Sequence, residues 1–140
     1  MKKYLFKIMM VFLAVFLVAC QQSNLEEAEI QDVPVSKEGL QVETEKDTYP
    51  TTTDEIVLVI KNESDEELNA TSFNLEKKVE GIWYDFPSEE SGPTDAVGGY
   101  QPPNSTSKIS FFTKELKYDL APGSYRAKFI DVAAEFQVTK

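Results

Sequence analysis

Past Gly39 the chain exchanges apolar and polar positions with a period of two. Leu40-Gln41-Val42-Glu43-Thr44 alternates strictly, as a strand does when one face meets a core. Glu55 to Lys61 is a β-branched run bounded by charges, which predicts a central strand with both faces at least partly covered. Phe73 to Val79 alternates again, and Glu80-Gly81 turns it into Ile82-Trp83-Tyr84-Asp85-Phe86, a hairpin pattern. Ser107 to Thr113, Tyr125 to Ile130 and Ala134 to Val138 complete a set of about seven strands. Asp47 to Asp54, with Pro50 and three threonines, reads as turn, and Pro87 to Asn104 as a long irregular stretch. No amphipathic helix of useful length interrupts them. This spacing predicts an all-β, two-sheet antiparallel sandwich.

The corner before the last hairpin carries a specific signal. Leu120-Ala121-Pro122-Gly123-Ser124-Tyr125 offers a Pro-Gly turn and then a tyrosine at a strand start. In immunoglobulin-type sandwiches such a tyrosine bonds back to the preceding corner. Tyr125 is the candidate for that structural role, with Leu120 plugging the core beneath it.

Before Gly39 the pattern is different. Lys2, Lys3 and Lys7 precede an uncharged apolar run from Ile8 to Val18, the layout of a secretory signal too short for a comfortable membrane span. It ends in Leu17-Val18-Ala19-Cys20, which resembles the lipobox read by the lipoprotein signal peptidase. Small Ala19 fits the cleavage position, and Cys20 supplies a thiol for diacylglycerol. The expectation is a signal peptide over 1–19, an acylated cysteine with a flexible acidic tether over 20–38, and a sandwich domain over 39–140. The protein is then held at the extracytoplasmic face of a membrane through Cys20. A short helix over Leu25 to Gln31 would find no core to pack on.

Composition sharpens this. Cys20 is the one cysteine, so the domain has no disulfide and must rest on an apolar core; about 100 residues suffice for one such core. Removing Lys2, Lys3 and Lys7 leaves 11 basic against 24 acidic residues, a net charge of −13. That surface disfavours nucleic acid and anionic lipid and admits cationic partners.

Chemistry is narrowed mainly by what the sequence lacks. Without histidine there is no imidazole base and no His-based zinc site, and the single cysteine is committed to lipid. A Ser-Lys pair, Ser105 with Lys108, sits at a strand entrance rather than on a helix, and no enzyme is expected. No cofactor or metal is expected either: carboxylates at Asp47, Asp54 and Glu55, around Asn62 to Glu67, and at Glu89-Glu90 read as solvated charge, although calcium would accept such oxygens. Trp83 reads as core. Tyr100, in the long loop before Pro102-Pro103, is the candidate for contact with a partner.

Five ordered segments carry a family resemblance. They are Glu55 to Asn62 with Ser64-Asp65-Glu66-Glu67; Phe73 to Lys78 running to Gly81-Ile82-Trp83-Tyr84; Pro102 to Thr106; Leu120 to Arg126; and Ala133 to Phe136. Together they resemble the bacterial immunoglobulin-like domain of surface lipoproteins in Bacillus and related Gram-positive bacteria. After Arg126 the chain lacks a longer insertion that many members carry. The resemblance implies an immunoglobulin-like sandwich and brings no catalytic residue. The expected function is a monomeric, non-catalytic binding or structural module that meets an envelope protein or cell-wall component. The alternative is an inhibitor or immunity-type protein that blocks an extracellular enzyme through its loops.

Overall fold

Alternation sets the inner face of each long strand. In the computed structural model, which describes residues 24–69, 73–89 and 100–140, β4 (Glu55–Asn62) buries Ile56, Leu58 and Ile60 completely and leaves Val57, Val59 and Lys61 half-covered. β4 lies between β2 (Leu40–Thr44) and β7 (Ser105–Phe112), and β1 (Ser36–Lys37) extends the sheet beyond β2. The second sheet runs β3-β9-β8-β5-β6, with β3 at Thr48–Pro50, β5 at Asn74–Val79, β6 at Ile82–Phe86, β8 at Gly123–Phe129 and β9 at Val132–Thr139. The two sheets face each other as the expected immunoglobulin-like sandwich.

Two short strands add to the expected seven. β3 lies within the segment read as turn, and it pairs parallel to β9. Its threonines and Pro50 are turn residues by type, but Tyr49 is buried and meets the Phe136 ring edge-on at 5.4 Å. That one aromatic anchors the crossing from the first sheet to the second. Proline is tolerated there because β3 is an edge strand.

The core is continuous between the sheets. Ile56, Leu58, Ile109 and Phe111 from one side pack with Phe86, Tyr125, Phe129 and Phe136 from the other. Each large apolar side chain buried in this way contributes roughly 1.5–3 kcal/mol. Tyr125 is central: its ring stacks on Phe136 at 5.8 Å and meets Phe86 edge-on at 5.5 Å. Its hydroxyl donates to the Ala121 carbonyl at 2.9 Å and accepts from the Ala121 amide at 3.2 Å, while Leu120 is buried beside it. Burial pushes the Tyr125 phenol up to about 12, against a lowering by its backbone bond at Ala121.

The acidic segment expected as a free tether is instead fastened to the sandwich from Glu26 to Val35. It is extended, not helical. The Ala28 amide donates to the Trp83 carbonyl at 2.9 Å and the Asp85 amide to the Glu26 carbonyl at 2.8 Å, so the segment pairs with the outer edge of β6. It then crosses the outer face of the five-stranded sheet and reaches β9, where the Ala133 amide donates to Pro34 at 2.9 Å. Val35 finally accepts from the Val42 amide of β2 at 3.2 Å. This strap ties both sheets together. Residues 20–23 lie outside the described part of the chain.

Candidate functional site

The strap is held by a polar cluster on the outer face of the second sheet. Register places Glu76 of β5 opposite Arg126 of β8, and the two form an ion pair with both side chains almost fully buried. The guanidinium also donates to the Ile30 carbonyl at 2.6 Å and the Gln31 carbonyl at 2.7 Å, and it lies 4.5 Å from the centre of the Trp83 ring. Gln31 adds a two-point clamp: its amide nitrogen donates to the Trp83 carbonyl at 3.0 Å, and its oxygen accepts from the Trp83 amide at 2.8 Å. Arg126 thus satisfies a carboxylate, two carbonyls and an aromatic face at once. Trp83 is buried as expected, but under the strap and outside the core between the sheets. Asp85, at the same edge, has its carboxyl raised by burial, with Lys128 pulling the other way.

These groups bind the protein to itself, and the Glu76 and Arg126 side chains are almost closed off from solvent. The opposite case is found at one end of the sandwich, where the loop after β4 meets the turns between β1 and β2 and between β8 and β9. Asn62, buried at the end of β4, organises that loop. Its amide nitrogen donates to Glu66 and Pro102 carbonyls, each at 2.9 Å, and its oxygen accepts from the Ser64 hydroxyl at 2.6 Å. Leu68 and Gln101 exchange backbone hydrogen bonds at 3.0 and 2.8 Å, and the buried Gln101 side chain accepts from Ser107. Tyr100 leads directly into this bridge with its side chain exposed.

Beside the loop lies an open cleft of about 420 Å³. Leu40, Leu68 and Val132 supply its apolar lining; Glu38, Asp65, Glu66 and Asp131 stand around it. Among the described residues that line it, Lys37 is the one cation, and it is paired with Asp131 at 3.1 Å. Ile130 forms the lip, 43% exposed.

The backbone at that lip is unusual. Two-residue turns join β1 to β2, β5 to β6 and β8 to β9. The first two carry Glu-Gly, with φ of 52° and 85° at Glu38 and Gly39, and 51° and 85° at Glu80 and Gly81. Glycine suits such positions. The third carries Ile130-Asp131, and Ile130 holds φ 54°. A β-branched residue is a poor fit to that region, at a cost of order 1–3 kcal/mol. The Ile130 side chain does not offset this by burial.

Other sequence candidates fall apart in space. Ser105 donates to the Pro102 carbonyl at 2.6 Å, and Lys108 pairs with Glu45 at 2.7 Å on the surface, so no Ser-Lys pair forms. Among the described residues, no group of three or more Asp, Glu, His or Cys could hold a metal ion. Leu17, Val18, Ala19 and Cys20 lie outside the described residues, as does Glu90. The strap cluster escaped the sequence reading, although one sign was present: Glu76, Trp83 and Arg126 all fall on outward positions of their strands.

No curated protein and no solved structure matches the chain. Residues 36–137, the sandwich with its first short strand, match the family described as "Bacterial Ig-like domain", and the chain belongs to that family.

Proposed function

We propose that this protein is a membrane-anchored lipoprotein whose Ig-like domain is a non-catalytic binding module in the cell envelope. The fold family supports a surface or structural module. The anchor is carried by one observation, the run Leu17-Val18-Ala19-Cys20 closing a charged and then apolar leader. The binding role draws on the loop end of the sandwich, where an open cleft and exposed Tyr100 lie close together. The strap gives the anchor a mechanical consequence. Among the described residues Glu26 is the first hydrogen-bonded to the sheet, and the chain from Cys20 to that point spans at most about 20 Å when fully extended. The domain would then stand close to the bilayer on its β6 side, on a much shorter lead than a twenty-residue coil.

The test is crosslinking on intact cells of the source bacterium with a tagged, lipidated protein, with Cys20→Ala as the unanchored control. Capture of one envelope partner that is lost with the control supports the reading. Capture of no envelope component by either form, together with stoichiometric loss of activity in an added protease or lysozyme, would replace it with an inhibitor.

A further inference from the structure

We propose that the cleft between the β1–β2 turn, the 64–68 loop and the β8–β9 turn takes a basic segment of a partner protein, with an apolar side chain seated against Leu68 and Ile130. The inference rests on the binding-module reading and names the partner's chemistry. Charge complementarity carries it. Four carboxylate residues, Glu38, Asp65, Glu66 and Asp131, border the cleft beside Leu68 and Ile130, and the single lysine among the described lining residues is already engaged by Asp131. Such a rim attracts lysine and arginine and repels anionic lipid, so a membrane surface is the wrong occupant. A small cation would leave the exposed Ile130 side chain uncovered, whereas an apolar side chain of a peptide would cover it.

Ile130 points the same way. It is exposed at the lip and held at φ 54°, a position that the two counterpart turns fill with the unbranched Glu38 and Glu80. Neither the core nor the turn gains from an isoleucine there; a partner's apolar side chain would. Glycine at that position relieves the backbone and removes the contact, so it separates folding from binding.

The experiment uses the full chain in non-ionic detergent, labelled with nitrogen-15, and the peptide Lys-Phe-Lys-Leu-Lys as probe. Glu-Phe-Glu-Leu-Glu and Lys-Ala-Lys-Ala-Lys are the matched controls. The expected result is amide shift changes confined to residues 37–40, 64–68 and 130–132, absent with the acidic peptide and weak with the alanine one. Ile130→Gly should keep the folded spectrum and weaken the probe about tenfold, and Asp65→Asn with Glu66→Gln should do the same while flattening the salt dependence. Shifts elsewhere on the domain, no binding, or variants that bind as the parent does would overturn the cleft. If crosslinking still captures an envelope partner in that case, the module reading stands and only the cleft is lost.

Discussion

Arg126 and Glu76 stand opposite each other on β8 and β5, ion-paired and closed off from water beneath the strap. A charge pair in that position is poor evidence of stability by itself, because desolvation opposes the attraction. Its specific product here is the strap's position, since the same guanidinium holds the Ile30 and Gln31 carbonyls. Removing one partner and removing both should therefore differ. Glu76→Gln leaves a buried cation without its carboxylate and is expected to cost about 3–5 kcal/mol. Glu76→Leu with Arg126→Met should fold with stability near the parent's yet release the strap. Urea unfolding gives the first quantity. Emission from Trp83, the one tryptophan, reports the second by a red shift.

Gln31 fastens the strap through both polar groups of the Trp83 backbone. Gln31→Ala removes three hydrogen bonds, the two to Trp83 and one to the Ala28 carbonyl, and is expected to cost about 1–2 kcal/mol. Hydrogen exchange should show the loss locally, with faster exchange at Trp83 and Ala28 and little change in β4.

Tyr125 links the corner at Ala121 to the aromatic centre of the core. Its phenol titrates higher folded than unfolded, because burial disfavours the phenolate. The folded state therefore holds the proton longer, and this contribution to stability is full below about pH 10 and lost as pH rises toward about 12. Lys77, whose ammonium lies 5.4 Å from the ring centre, has its own pKa lowered by burial and works in the opposite sense. Tyr125→Phe is expected to lose about 1 kcal/mol at neutral pH from the missing corner bonds and to unfold less steeply between pH 10 and 12. Thermal melts of both proteins across that range check it.

Asn62 is the hinge pin of the cleft end. Asn62→Ala removes the buried amide that bonds the Glu66 and Pro102 carbonyls and the Ser64 hydroxyl together, for an expected loss of about 2–3 kcal/mol. The damage should be uneven, with exchange protection falling at Leu68 and Gln101 first and Tyr125 least.

Much of this fold is legible in the sequence because alternation against a single core is a strong constraint. Ile56, Leu58 and Ile60 leave little choice of inner face for β4, and Pro122-Gly123 followed by Tyr125 marks the corner. The strap was not legible, since its attachment is mostly backbone bonding to sheet edges and to one arginine, which leaves no periodic apolar trace. β3 hid for a related reason: three residues with one inward tyrosine cannot show a period. The cleft is visible only in space, because Leu40, Leu68 and Val132 are far apart along the chain and each reads as ordinary strand or loop. Ile130 could have drawn notice as an isoleucine in a two-residue turn where glycine is usual.

Both the proposed anchor and the short lead to the strap depend on Cys20. The most direct measurement is mass spectrometry of the mature N-terminal peptide from the membrane fraction of the source bacterium, run beside Cys20→Ala. The expected result is a chain that begins at Cys20 and carries diacylglycerol, while the variant leaves the membrane fraction or retains its leader. An unmodified Cys20 in mature protein that partitions as the variant does would contradict it.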